Sequence, residues 1–356
     1  MKFLITGGAG FIGSALIRFL IKETEHELLN LDKLSYSGSL ESLNNISTNS
    51  RYKFIKGDIC NRKLISDIFF QFNPEVVVHL AAETHVDRSI DQPAEFVKTN
   101  ILGTSIMLEC AYEYWKRISG NKRFIFHHIS TDEVFGSLGK KGFFKENTAY
   151  NPNSPYSASK ASSDHLVRAW NKTYGFPTFI TNSSNNYGPY QFPEKLIPLT
   201  IINALENKTI PIYGNGKQIR DWLYVEDHIQ AIYKVITKGD VGETYNIGGN
   251  NEKSNIEVAN AICEILDEII PNKINNNSSY KKLIKFVSDR PGHDQRYAID
   301  THKIKKRTDW KPVETFETGL RKTVEWYICN ADWYKNTKGN QYKRQGLGII
   351  KKILKR

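Results

Sequence analysis

Ser130, Thr131, Asp132 and Glu133 stand in a row, and 23 residues after Glu133 the chain reads Tyr156-x-x-x-Lys160. A hydroxyl, two adjacent carboxylates, a phenol and an amine are together the groups that can move a hydride and expel water from one polyol. Like charges on Asp132 and Glu133, under unequal burial, push one carboxyl pKa up and leave the other ionised. One then donates a proton and the other takes one. Tyr156 and Lys160 fall one turn apart on one helix face, so an ammonium can sit near a phenol. A nearby cation favours phenolate and is expected to lower a pKa of about 10, letting Tyr156 take a proton from a hydroxyl near neutral pH. Each pair alone is ordinary surface chemistry; their weight comes from the elements that must position them.

Ser154 is a good N-cap and Pro155 suits the first helical position, which predicts a helix from there to about Gly175 carrying Tyr156 and Lys160. Apolar runs at 2–6, 27–31, 52–56, 75–80, 123–129 and 177–181 read as buried strands, each followed by polar or glycine residues and then helical periodicity. The expected fold class is therefore α/β, a Rossmann-type doubly wound parallel sheet whose carboxyl strand ends line one crevice. The motifs fall at those ends: Asp58-Ile59 after the third strand, Leu80-Ala81-Ala82-Glu83-Thr84 after the fourth, Ser130 to Glu133 after the fifth. The first strand leads into Gly7-Gly8-Ala9-Gly10-Phe11-Ile12-Gly13 and a helical pattern from Ser14 to Lys22. Gly7 permits a tight turn, Gly10 lets the backbone approach a pyrophosphate, and Gly13 lets helix pack on strand. Asp32, 19 residues after Gly13, ends the second strand where an acid would hold ribose hydroxyls, which favours NAD over NADP; the adjacent Lys33 points the other way.

The 356 residues exceed the usual single-core limit. They are read as a cofactor domain at 1–183, a smaller mixed α/β C-terminal substrate-binding lobe at 184–330 with some segments returning to the first, and a basic tail at 331–356. No stretch approaches the roughly 18 apolar residues of a membrane span, and glycines cut the opening Met1-Lys2-Phe3-Leu4-Ile5 too short for a signal peptide. Cys60, Cys110, Cys263 and Cys329 are isolated, which fits reduced cytoplasmic thiols, and neither they nor the nine histidines show metal-ligand spacing, so no metal is expected. The net charge of +11 is mostly a tail effect: eight of those charges belong to Lys335, Lys338, Lys343, Arg344, Lys351, Lys352, Lys355 and Arg356, with no acid among them. No nucleic-acid partner is expected from the remainder. Residues 348–356 would make either a short basic amphipathic helix touching an anionic membrane or a partner, or a frayed solvated end, the preferred reading. The Asn-rich stretch 272–279 reads as a surface loop.

With these residues assembled, the chain resembles the extended short-chain dehydrogenase/reductase superfamily, and within it the nucleotide-diphosphate-sugar 4,6-dehydratases, from about residue 2 to 327. The likeness rests on the blocks His79-Leu80-Ala81-Ala82-Glu83-Thr84-His85-Val86-Asp87-Arg88-Ser89, Ser184-Asn185-Asn186-Tyr187-Gly188-Pro189-Tyr190-Gln191-Phe192-Pro193-Glu194-Lys195, Arg220-Asp221-Trp222-Leu223-Tyr224-Val225-Glu226-Asp227-His228 and Asp289-Arg290-Pro291-Gly292-His293-Asp294. Thr84 stands where the family usually has Ser, keeping the hydroxyl, and Asn182-Ser183 replaces the usual Arg-Cys, a change without an interpretation from sequence.

The resemblance implies that Tyr156 takes the proton of the glucose C4 hydroxyl as hydride passes to NAD, while Thr131 orients that hydroxyl and Lys160 holds the ribose and the phenol. It further implies that Glu133 removes the C5 proton, Asp132 donates to the departing C6 hydroxyl, and hydride returns to C6, so the NAD stays tightly bound. Cofactor contacts are implied for Gly7, Gly10, Phe11, Ile12, Gly13, Asp32, Lys33, Ser35, Asp58, Ile59, Leu80, Ala81, Ala82, Thr84, Thr99, Tyr156, Lys160 and Asn186. Contacts to a nucleotide-diphosphate-glucose are implied for Thr84, Thr131, Asn185, Lys195, Leu196, Pro211, Tyr213, Arg220, Asn255, Asp289, Arg290 and His293, with the planar fork of Arg220 suited to a diphosphate. A homodimer is implied through a four-helix interface of the helices near 100–116 and 155–172. There Ile101, Ile106, Met107, Cys110, Ala111 and Tyr114 supply an apolar face, although a monomer core would give the same pattern. A 4-epimerase or decarboxylase of the same superfamily would share the glycine turn and the Tyr/Lys pair but has no need of Asp132 and Glu133. A non-catalytic NAD-sensing protein would have lost some of these groups. Thymidine and uridine differ by one methyl group, and no residue here reads that difference.

Overall fold

The computed structural model describes residues 1–118, 123–271 and 279–338. The Asn-rich stretch, apart from Ser279, and the tail from 339 onward lie outside the described residues.

The chain begins with β1 (Lys2–Thr6), α1 (Phe11–Glu23), β2 (Glu27–Asp32), β3 (Tyr52–Lys56), α2 (Arg62–Phe72) and β4 (Val76–His79). Two short helices, α3 (Val86–Asp91) and α4 (Pro93–Phe96), run through a π-helical turn, Val97–Leu102, into α5 (Gly103–Ile118). Then come β5 (Ile125–Thr131), α6 (Pro155–Tyr174) and β6 (Thr178–Ser183). The second half contains β7 (Asn185–Tyr187), α7 (Leu196–Leu205), β8 (Ile210–Tyr213), β9 (Ile219–Tyr224), α8 (Val225–Lys238), β10 (Thr244–Ile247), β11 (Glu252–Ser254), α9 (Asn255–Ile269), β12 (Ile284–Val287), α10 (His302–Thr308), α11 (Phe316–Cys329) and α12 (Ala331–Lys338).

The main sheet has seven parallel strands in the order β10-β6-β5-β4-β1-β2-β3. All of its strands but the edge strand β3 are largely buried on both faces, which is why they read as apolar runs. Six of them occupy the expected segments; β10, the seventh, comes from the second half and pairs with β6, Thr244 beside Ile180. On one face α1 and α8 pack Leu16, Ile17, Leu20, Ile229 and Ile232 against Phe3, Ile5, Val76 and Val78. On the other, α2, α5 and α6 pack Ile65, Phe69, Met107, Leu108 and Val167 against Leu4, Val77 and Phe126. Chain order runs outward from β1 to β3 and then jumps back to β4 on the other side of β1, so a switch point opens between β1 and β4.

The second half builds a three-stranded sheet, β11-β9-β7, with one antiparallel and one parallel pairing, and a parallel pair β12-β8. These surround a core of their own that includes Ile197, Ile201, Trp222, Ile262, Leu320 and Tyr327. Helix α12 adds Tyr334 to that core, and its Trp333 donates to Ser42 Oγ at 3.2 Å, so the segment read as the start of a tail begins as a packed helix. Met107, Cys110, Ala111 and Tyr114 are buried in the first core, so most of the apolar face offered to a dimer is core. Val97 and Leu102, 53% and 50% exposed, are the large apolar side chains left at the surface beside it.

Candidate active site

Strand β5 and helix α6 set the site between them. At the end of β5 the Thr131 hydroxyl accepts from the Glu133 N–H at 3.2 Å and lies 3.4 Å from Asp132 Oδ1, starting the tight 3₁₀ turn Asp132–Phe135 that presents both carboxylates. Helix α6 opens with a reciprocal capping box: Ser157 N donates to Ser154 Oγ at 3.1 Å and Ser154 N to Ser157 Oγ at 3.0 Å, with Pro155 at the first position. It closes on Gly175 at φ +64°, the left-handed cap that glycine favours. This fixes Tyr156 and Lys160 on the buried face, 7% and 4% exposed.

The electrostatics separate the two carboxyls. Asp132 is 1% exposed and Glu133 only partly buried. Burial, then the neighbouring charges of Glu133 and Asp221, push Asp132 well above the ordinary carboxyl range. Burial also raises Glu133, but Arg290, Lys195 and Arg220 all face it and pull it back. Of the two, Asp132 is the carboxyl held more strongly toward its protonated form.

For Tyr156 the structure corrects the expectation. Burial and then the Glu133 charge hold the phenol well above its ordinary value, against the hydrogen bond from Thr131. Lys160 does not offset this, because its ammonium donates to the Ile129 carbonyl at 2.8 Å and lies 3.4 Å from His128 Nε2. Burial lowers Lys160 itself to about 8.

Two cavities meet at this cluster. One, of about 280 Å³, runs along the strand ends at the switch point and is walled by Gly7, Gly10, Phe11, Ile12, Gly13, Asp32, Lys33, Ser35, Ile59, Leu80, Ala81, Ala82, Thr84, Thr99, Thr131, Asp132, Tyr156 and Lys160. The other, of about 940 Å³, is walled by Leu196, Pro211, Tyr213, Arg220, Asn255, Arg290 and His293. Glu133, Asn185, Asn186, Gln191, Glu194 and Lys195 belong to both walls. Two expected contacts are absent from these walls. The Asp58 carboxylate accepts from Cys60 N at 2.9 Å, and Asp289 is held by His293 Nδ1 at 2.6 Å, Arg290 N at 2.9 Å and Gln218 Nε2 at 2.9 Å. Asp289 therefore aims its neighbours, above all His293.

The smaller cavity fits a dinucleotide. The first turn of α1 has no side-chain cap and no acidic residue, so its N–H groups and dipole are free for a pyrophosphate. A Cβ on Gly7 would lie 2.7 Å from Ala81 N and one on Gly13 would lie 2.3 Å from Gly7 O, so the turn closes only with glycine. Asp32 is fixed by Ala9 N at 3.0 Å and Leu34 N at 2.8 Å, while Lys33 turns away to Glu83 at 3.2 Å and Thr99 at 3.3 Å. Asp32 thus stands at the end of β2 as an acid in the wall of this cavity, the position at which an acid suits ribose hydroxyls.

In the larger cavity Arg220 is clamped by the carbonyls of Ile219 at 2.8 Å and Asp294 at 3.0 Å, its guanidinium 4.2 Å above the Tyr297 ring. Lys195 donates to the Thr84 carbonyl at 3.0 Å, and Asp87 ties Tyr213 OH at 2.9 Å to Arg290 at 3.4 Å. Sequence reasoning missed Asp87, Glu194 and Tyr297, although the first two stand inside blocks already singled out. It also missed Asp164, whose position four residues after Lys160 was the available signal. Asn182 now has an interpretation: fully buried, it donates to the Thr131 carbonyl at 3.1 Å and to Asp164 at 3.2 Å, so it pins the end of β5.

Among known proteins, residues 4–323 match the family described as GDP-mannose 4,6 dehydratase. The chain is 58% identical over 354 residues to dTDP-glucose 4,6-dehydratase of Salmonella typhimurium, covering 96% of this chain and 97% of that protein. The crystal structure of the dTDP-glucose 4,6-dehydratase of Bacillus anthracis in complex with NAD superposes with a TM-score of 0.84 at 45% identity, over 95% of this chain and 100% of that one. The enzyme of the same name from Streptomyces venezuelae, with NAD and a second ligand bound, gives a TM-score of 0.87 at 39% identity, over the same shares.

Proposed function

The chain belongs to the GDP-mannose 4,6-dehydratase family, and from that membership we propose that it dehydrates dTDP-glucose to dTDP-4-keto-6-deoxyglucose with NAD as a recycled cofactor. The observation that carries the reading is the polarised pair Asp132/Glu133, standing where the two cavities meet. An epimerase needs no such pair.

NAD, when bound, accepts hydride from C4 of the sugar and returns it to C6. The chain's own residues do the rest. Tyr156 receives the proton of the C4 hydroxyl, which Thr131 orients, and Lys160 holds the ribose. Burial and the Glu133 charge hold the Tyr156 phenol high, and the positive charge of an oxidised nicotinamide, when bound, would favour its phenolate. The 4-ketone acidifies C5–H; Glu133 takes that proton, and Asp132, carrying a proton of its own because of its burial, protonates the leaving C6 hydroxyl, so water departs and a C5=C6 double bond forms; as hydride reaches C6, a proton returns to C5. Asn185, Lys195, Arg220, Asn255, Arg290 and His293 hold the nucleotide diphosphate, with residues 1–183 carrying the cofactor and the lobe from 184 to 330 the substrate.

The thymidine nucleotide follows the relatives' substrate; a uridine nucleotide is the second reading. The same reading has the chain work in the cytoplasm as a homodimer formed by α5 and α6. No helix among the described residues is long and apolar enough to cross a membrane. The test offers dTDP-glucose and UDP-glucose separately to purified protein and follows the ultraviolet absorbance of the 4-keto product in alkali. Turnover of dTDP-glucose with at least tenfold higher kcat/KM, a discrimination of about 1.4 kcal/mol, is expected. Turnover of neither rejects the reading.

A further inference from the structure

Asp164 is a buried charge that the steps above leave unused. It follows Lys160 by four residues and Tyr156 by eight, so α6 presents all three on one face. The side chain is fully buried. Its Oδ2 accepts from Ser130 Oγ at 2.9 Å, Tyr150 OH at 2.8 Å and Asn182 Nδ2 at 3.2 Å. Its Oδ1 lies 3.2 Å from His128 Nε2, and the same nitrogen lies 3.4 Å from Lys160 Nζ. One carboxylate oxygen thus gathers three donors from the surrounding fold, and the other is turned toward the His128–Lys160 pair. An isolated carboxyl so deeply buried would take up a proton. Here burial is outweighed by His128, Lys160 and Ser130, and Asp164 stays ionised.

On the dehydratase reading above, we propose that Asp164 is a positioning residue for the hydride step. Across the His128 ring the charge of its carboxylate keeps the Lys160 ammonium charged where it meets the Ile129 carbonyl, and so sets the upper end of the pH range in which sugar C4 is oxidised. The groups facing Lys160 support this. His128 on β5 and, 5.5 Å behind it, His79 on β4 are both held neutral by burial, His128 at about 4. The Tyr156 phenol, one turn back on α6, is held well above its ordinary value by burial and then by the Glu133 charge. Asp164 is the charge that opposes the burial of Lys160, which sits at about 8. The sign follows: removing the anion lowers the Lys160 pKa further, and the charged amine is then lost at lower pH.

The test compares wild type with Asp164→Asn and, as a smaller replacement, Asp164→Ser, each as purified holoenzyme. It reads the NAD content, the rate at which dTDP-glucose reduces bound NAD, and KM, from neutral to alkaline pH. Both variants are expected to keep NAD and an unchanged KM while the alkaline limb moves down by about 1–3 pH units, the span an opposite charge at short range produces. Tyr150→Phe, which removes one donor but keeps the charge, is expected to leave the limb in place. A limb unmoved in a variant that retains NAD overturns the proposal, as does failure of both variants to fold or hold NAD, which would make Asp164 a residue of the fold alone. A wild type that reduces no NAD with either nucleotide-glucose instead removes the dehydratase reading, before any substitution is made.

Discussion

At the scale of residues, the division of labour between Asp132 and Glu133 comes from what surrounds each rather than from what each is. Three cations face Glu133, while Asp132 is sealed against two further carboxylates. Glu133→Gln keeps the shape and removes the base. It is expected to leave C4 oxidation intact, visible as bound NADH, and to abolish exchange of the C5 proton with solvent, lowering turnover by about 10²–10⁴-fold. Simultaneous loss of both steps would assign Glu133 a structural role. The sequence announced these two residues because adjacent acids beside Ser130-Thr131 are chemically suggestive on their own. It gave the wrong sign for Tyr156, because spacing shows that Lys160 is near but not that the ammonium is drawn to the Ile129 carbonyl and His128. Asp164 escaped notice for the related reason that an acid in the middle of a helix looks like a solvated one until its burial is known.

At the scale of elements, legibility followed locality. Helix α6 was readable from Ser154, Pro155 and Gly175, each acting within one turn of an end. Six strands were readable as apolar runs, five of them because double-sided burial demands it. Strand β10 was not, since Thr244-Tyr245-Asn246-Ile247 is too short to show a pattern and is a strand because β6 offers it an edge. The glycine turn is the element whose geometry is least forgiving. Gly13→Ala would place a Cβ 2.3 Å from Gly7 O and 2.7 Å from Gly8 Cα, both backbone atoms. Overpacking of that kind costs about 1–3 kcal/mol, so this variant is expected to unfold at lower temperature and to lose most of its NAD on gel filtration. Full retention of NAD would mean that the turn is not the phosphate site.

At the scale of the whole molecule, the two lobes are interleaved rather than strung together. Helix α8 and strand β10 belong by sequence to the second half but complete the first sheet, and Trp333 of α12 reaches back to Ser42. This places Glu133 at the seam, where one cavity can hold a cofactor that oxidises a sugar held in the other. Val97 and Leu102 are exposed next to α5, one of the helices of the proposed homodimer. Leu102→Asp is expected to shift sedimentation toward monomer at micromolar protein without changing the NAD content of each chain; an unchanged dimer would move the interface elsewhere. On the proposed function, one cofactor takes a hydride from C4 and returns it to C6 of the same sugar while Asp132 and Glu133 remove water between the two transfers. Deuterium placed at C4 of dTDP-glucose and located in the product by NMR tests this directly. Deuterium is expected at C6 with a solvent-derived proton at C5, whereas deuterium retained at C4 or lost to solvent would rule out internal hydride return.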